Sequence, residues 1–194
     1  DYTVTEAGFG ADLGAEKFLD VKCRLSGLVP DCVVVVATAR ALKLHGGADK
    51  NDLAVENLTA LKAGIPNLIR HVQNITNVYR LPCVVAINKF VGDTAAEIAA
   101  ISDEVAKLGV KCVPCDVWGK GGSGAIELAQ TVAQTCQSAA KQNFTFAYAD
   151  EDSVKDKILK IAQKIYGAAN IEFSEQAERS LVALAALNVD RLPV

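Results

Sequence analysis

The sequence predicts an α/β fold, a mainly parallel sheet flanked by helices. Short apolar runs alternate along the chain with longer segments of helical periodicity. One run, Cys32–Thr38, is almost continuous Val with no polar alternation, the pattern of a parallel strand covered on both faces. Alternation of this kind brings successive strands side by side through helical crossovers.

Taken in order, the strand-like runs are Tyr2–Thr5, Cys32–Thr38, Cys83–Asn88 and Val110–Cys115. Between the second and third, residues 53–78 carry Leu58, Leu61, Ile65, Leu68, Ile69 and Val72 at spacings of three and four, which predicts a helix. Pro66 inside it predicts a kink or a break. A second helix is expected over Thr94–Leu108, with Asp93 or Thr94 as N-cap and Glu97 in its first turn. A third is expected from Ser123 to about Ala140. Composition shifts near residues 143–152, so residues 1–145 are read as the α/β segment and 146–194 as the start of a small α+β part. In the latter, Val154, Ile158, Ile161 and Ile165 make one helical stripe. Ile171–Phe173 reads as a short strand, and Ser174 as the cap of a last helix reaching Leu187.

The composition narrows the function classes. Hydrophobic residues are 51% and charged residues 22% of 194, a globular balance. A net charge of −3 gives no basic field for a nucleic acid. No apolar run approaches the roughly 20 residues that span a bilayer, so neither a membrane nor a nucleic acid is an expected partner. The chain opens on Asp1 and contains no Met. Both ends are therefore read as cut points in a longer polypeptide. Cys112 and Cys115 form the one Cys-x-x-Cys pair among six Cys. They follow a strand and contain Pro114 between them, so thiols of a reducing compartment are favoured over a redox or zinc pair. No metal-ligand spacing stands out.

In open α/β sheets, ligands bind beyond the carboxyl ends of the strands. The first such segment carries Glu6, Gly8, Gly10 and Gly14. Its spacing is one residue longer than the dinucleotide fingerprint, and no acidic ribose partner follows. The second carries Arg40, Lys43, His45 and a Gly pair, a cluster suited to phosphate or carboxylate. In the third, Asn88 could pair with a purine edge, and Phe90 could stack on a flat ring. This Asn88-Lys89 start is similar to the base-reading Asn-Lys-x-Asp motif, but Asp93 lies two residues too far on. The fourth places the single Trp, Trp118, in a Gly-rich loop. Phe90 and Trp118 on neighbouring strand ends could sandwich an aromatic ligand. No G-x-x-x-x-G-K-[ST] phosphate loop is present.

Together these segments resemble the formate–tetrahydrofolate ligase family. The resemblance rests on TEAGFGADLGAEKF (Thr5–Phe18), VATARALKLHGG (Val36–Gly47), VVAINKFVGDT (Val84–Thr94), WGKGGSGAIELA (Trp118–Ala129) and KIAQKIYGAANIEF (Lys160–Phe173), in the family's order. It departs at Ala39, where the family usually has Val or Ile. The resemblance implies a P-loop NTPase-like fold without its Walker A segment, which in the family lies N-terminal of this stretch. It implies ligation of formate to tetrahydrofolate with ATP, through formyl phosphate, giving 10-formyltetrahydrofolate. The implied co-substrate is ATP with Mg, accompanied by a monovalent cation. The implied partners are formate, tetrahydrofolate and ATP, with a homotetramer in the full-length enzyme, in the cytoplasm or the mitochondrial matrix. By the same resemblance Phe90, Trp118 and Phe18 hold folate, and Gly8 and Gly10 face the intermediate. Glu6 and Arg40 are candidate catalytic groups, Lys43 a candidate phosphate ligand, and Asn88 would face adenine. Such a segment is expected to be inactive alone. The alternatives are a non-enzymatic nucleotide-binding α/β module, which the absent phosphate loop disfavours, and a dinucleotide-dependent oxidoreductase built on Gly8, Gly10 and Gly14.

Overall fold

The computed structural model describes residues 1–138, 143–187, 189 and 191–194. They divide into two compact units. Pro30–Asn143 forms one; Asp1–Val29 and Phe144–Val194 together form the other.

The Pro30–Asn143 unit holds a parallel three-stranded sheet in the order β1 (Val33–Ala37), β2 (Cys83–Asn88), β3 (Lys111–Cys115). Register pairs Val35 with Val85 and Ile87 with Pro114. The central strand β2 is covered on both faces, with Val84, Val85 and Ile87 fully buried. On β1 the sequence expectation fails on one face. Val35 and Ala37 are buried, but Val34 and Val36 are exposed, Val36 to 64%. A strand with one neighbour and one covered face shows alternation of exposure even when its sequence does not.

Helices pack on this sheet as the periodicity requires. Leu58–Gln73 buries Leu61, Ile65, Leu68 and Val72, and its last turn continues as a wider π-wound stretch, Asn74–Val78. Of the kink or break expected at Pro66, the break does not occur, and the helix runs on through it. Pro66 and Lys62 both lie on the exposed side, so the carbonyl that loses its N–H partner faces water. The Ala39–His45 helix crosses this helix at a backbone-to-backbone contact. A Cβ on Gly64 would sit 1.8 Å from the Leu42 carbonyl oxygen, and one on Gly46 the same distance from that of Ala60. Neither position accepts a side chain without moving a helix. Ala95–Ala106 opens with a complete capping box between Thr94 and Glu97 and buries Ile101 and Val105. Ile126–Ser138 packs against β2 and β3; the expected end of this helix, 139–140, lies outside the described residues.

In the other unit, Gly14–Glu16, Lys17–Cys23 and Arg24–Ser26 follow one another as helical turns, the middle stretch π-wound. Buried Asp20 accepts a hydrogen bond from the Ala147 N–H at 2.8 Å. The Arg24 guanidinium lies over Phe146 and Tyr148, donates to the Tyr148 carbonyl and pairs with Asp150 at 2.6 Å. Val154–Lys164 and Glu175–Ala186 complete it, each capped by a serine, Ser153 and Ser174. Two expected strands are absent. Residues 2–5 and 171–173 carry no regular structure, and Val4 is 92% exposed. A strand needs a neighbouring ladder to satisfy its N–H and C=O groups, and no described strand of this unit offers one.

Candidate functional site

The three strands of the Pro30–Asn143 unit end side by side, and each end passes directly into a turn held by its own side chains. After β1, the Thr38 hydroxyl caps the Ala39–His45 helix by accepting from the Ala41 N–H at 3.0 Å. This fixes Arg40 in the first helical turn. After β2, Asn88 is the last strand residue, in register with Cys115. The chain then closes a turn on itself. The Phe90 N–H donates to Asp93 Oδ2 at 2.8 Å, and the Asp93 N–H donates to the Phe90 carbonyl at 3.1 Å. After β3, Asp116 Oδ1 accepts from the Gly119 N–H at 3.0 Å and caps the short Val117–Lys120 helix. Trp118 stands on that helix.

Both candidate stacking rings are presented to solvent at adjacent strand ends. Phe90 is 37% exposed and Trp118 86%. Large aromatic side chains exposed together are informative, since they forgo the burial that would stabilise them. Arg40 joins Phe90 directly. Its guanidinium carbon is 4.7 Å from the Phe90 ring centroid, and Nη2 donates to the Val91 carbonyl at 3.2 Å.

Lys43 lies elsewhere in this region. Its side chain is fully buried, its ammonium 2.8 Å from Glu97 Oε1 and donating to the Val55 carbonyl at 2.9 Å. Glu97 is also fully buried and accepts from the Asn57 and Thr94 N–H groups, both at 3.1 Å. Burial alone would push the Glu97 carboxyl up. The Lys43 hydrogen bond and the two backbone N–H groups outweigh it and hold the carboxyl below its ordinary 4.5. The ammonium expected beside a phosphate is thus enclosed among protein oxygens and ties the 47–57 loop to the Ala95–Ala106 helix. Sequence reading saw Glu97 as a capping residue but not as the partner of Lys43. Nothing local in sequence joins two residues so far apart.

The remaining candidates belong to the other unit. Glu6 is exposed, and Gly8 sits at φ 70, followed by Phe9 at φ 55. The Gly10 carbonyl accepts from the N–H groups of Leu13 and Gly14, closing the turn. Gly14 is buried so tightly that a Cβ would sit 1.7 Å from the Gly8 carbonyl oxygen. Tyr166 fastens the turn from outside. Its hydroxyl donates to the Asp12 carbonyl and lies 2.7 Å from Glu16 Oε1. Burial, with Asp20 and Asp12 nearby, pushes the Glu16 carboxyl up despite the Tyr166 contact. Phe18 is half-buried, with the Lys22 ammonium 4.8 Å from its ring centroid. The role of Tyr166 was missed from sequence, although it lies within one of the five family-like segments.

Among the described residues no three His, Cys, Asp or Glu side chains are grouped to hold a metal. Among them, too, no helix is long and apolar enough to cross a membrane. All six Cys are free thiols, including Cys112 and Cys115 on β3.

Comparison with known proteins agrees with this arrangement of motifs. The family model described as formate–tetrahydrofolate ligase matches residues 1–194, the whole chain. A formate–tetrahydrofolate ligase of Symbiobacterium thermophilum is 55% identical over 194 residues, covering 100% of this chain and 34% of that relative. The chain therefore spans about a third of the length of the relative it matches. A match of this extent shows that the chain belongs to the formate–tetrahydrofolate ligase family.

Proposed function

We propose that this chain forms the folate-binding wall of an ATP-dependent ligase that joins formate to tetrahydrofolate and gives 10-formyltetrahydrofolate. The observation that carries the reading is the pair of exposed rings, Phe90 and Trp118, at the ends of adjacent parallel strands. A pterin is flat and aromatic in part, and stacking against such rings fixes the folate so that N10, beyond the pterin, is held in one place. By the family's pattern Phe18 is a further contact for the folate or the intermediate. Asn88 at the end of β2 faces adenine.

The chemistry requires activation, since hydroxide is a very poor leaving group from formate. One formate oxygen attacks the γ-phosphorus of ATP, the bond to ADP breaks, and formyl phosphate forms. The folate amine then attacks the formyl carbon, and phosphate leaves with the oxygen that formate brought. Mg carried on the ATP phosphates neutralises phosphoryl charge during transfer. The part of this chain is positioning: the rings orient the folate, and the turn at Gly8 and Gly10 faces the anionic intermediate. Glu6 stands beside that turn as the candidate proton carrier. The ATP phosphates are held by residues outside these 194, which contain no G-x-x-x-x-G-K-[ST] sequence. The enzyme works as a homotetramer in a reducing compartment, the cytoplasm or the mitochondrial matrix, in keeping with six unpaired thiols.

The test is an isotope experiment on the full-length polypeptide. With doubly ¹⁸O-labelled formate, ATP and tetrahydrofolate, each phosphate released should carry one ¹⁸O. Product formation without label in the phosphate would overturn the formyl phosphate route. No product at all would overturn the ligase reading. The 194 residues alone should give no turnover.

A further inference from the structure

Arg40 was expected to act on a phosphate or carboxylate, yet its guanidinium is spent on Phe90. It covers that ring at 4.7 Å and is tied by Nη2 to the Val91 carbonyl in the same turn. The turn itself is locked by Asp93, which receives the Phe90 N–H and returns its own N–H to the Phe90 carbonyl. The helix that carries Arg40 is equally fixed. Thr38 caps it, Ala39 is fully buried, and Lys43 one turn on is anchored in the Glu97 pair. Arg40 Nε is buried and takes no hydrogen-bond partner. The side chain is therefore held by its packing on the ring and by one carbonyl.

We propose that Arg40 is a positioning residue for the folate ring: it occupies one face of Phe90 and leaves the other as the stacking platform. This rests on the reading that Phe90 holds the pterin. A benzene ring has two faces of equal negative potential, and an unpartnered Phe at a turn can rotate between rotamers. A guanidinium over one face sets the rotamer and removes that face from competition. It also draws the ring's π density toward itself, which makes the free face a better partner for an electron-rich heterocycle such as a reduced pterin. Phe90, 37% exposed, retains the open area this requires.

The experiment is a double-mutant cycle in the full-length enzyme with Arg40→Ala, Phe90→Leu and the double variant, and with Arg40→Lys as the conservative control. Arg40→Ala should raise the KM for tetrahydrofolate about two- to fivefold, the size of an exposed cation–π contact, while kcat moves less than about twofold. Arg40→Lys should recover part of the loss, because a cation can still lie over the ring. In the Phe90→Leu background, Arg40→Ala should add almost nothing. A fall in kcat with an unaltered folate KM would overturn the proposal and return Arg40 to the reacting centre. So would equal effects of Arg40→Ala in both backgrounds. If Phe90→Leu leaves the folate KM unaltered, the folate assignment of Phe90 fails first, and the proposal falls with it. Should Arg40→Ala fold poorly, Arg40→Gln, which also removes the cation, in both backgrounds gives the same coupling measurement.

Discussion

Lys43 and Glu97 meet at 2.8 Å with neither side chain exposed to any degree. Through them the Ala39–His45 helix, the loop before Leu58 and the start of the Ala95–Ala106 helix are joined, because Lys43 also holds the Val55 carbonyl and Glu97 the N–H groups of Asn57 and Thr94. Removing one member of a buried pair leaves an uncompensated charge. Lys43→Met should destabilise the protein by roughly 3–5 kcal/mol, seen as a lower urea midpoint. A loss below about 1 kcal/mol, the value of an exposed pair, would mean that water reaches the site.

The same pair makes a pH prediction. The folded Glu97 carboxyl is more acidic than its ordinary 4.5, so it binds protons less readily than in the unfolded chain. Its contribution is then present above about pH 4.5 and is lost as pH falls through the lower folded value. The stability gap between wild type and Glu97→Gln should be wide at pH 7 and should narrow as pH falls below about 4.5. A gap of constant width would contradict the assignment.

Thr94 and Glu97 stood out as a helix start because a capping box is local, and the helix begins there. The parallel sheet was legible in the Val-rich runs, and the stripe of Leu61, Ile65, Leu68 and Val72 gave the covering helix. Residues 2–5 and 171–173 misled because β-prone side chains do not make a strand without a partner edge. Lys43 misled for the opposite reason. A cation after a strand looks like an anion ligand, and its burial against Glu97 depends on tertiary packing. The grip of Arg40 on Phe90 is likewise invisible in sequence, although each residue separately was marked.

Thiol reactivity follows from burial. Cys83, buried at the start of β2 with Cys32 nearby, is pushed up to about 12. Cys32 is pushed up to about 11 by burial, then by Cys136 and Asp31. At pH 8 the Cys83 thiolate fraction should be on the order of a thousandfold below that of an ordinary thiol. Alkylation followed by mass spectrometry should label Cys83 in urea but leave it unmodified in the native protein over hours. Fast native labelling would show that β2 opens.

Tyr166 should act on the Gly-rich turn without touching its backbone conformation. Tyr166→Phe deletes the hydroxyl that holds the Asp12 carbonyl and Glu16. Losing about 1 kcal/mol of hydrogen bonding should speed amide exchange in the turn roughly fivefold. Hydrogen-exchange mass spectrometry of peptides covering residues 8–16 measures it. Unchanged exchange there would mean that Gly10 and Gly14 hold the turn unaided.

Folate binding by the exposed rings at the ends of β2 and β3 is open to a kinetic test. Initial rates of Trp118→Ala in the full-length enzyme, with tetrahydrofolate, ATP and formate varied in turn, test it most directly. The tetrahydrofolate KM should rise about tenfold or more, the scale of a lost stacking contact, with the KM values for ATP and formate within about twofold of wild type. Equal rises for tetrahydrofolate and ATP, or a rise for ATP alone, would contradict it.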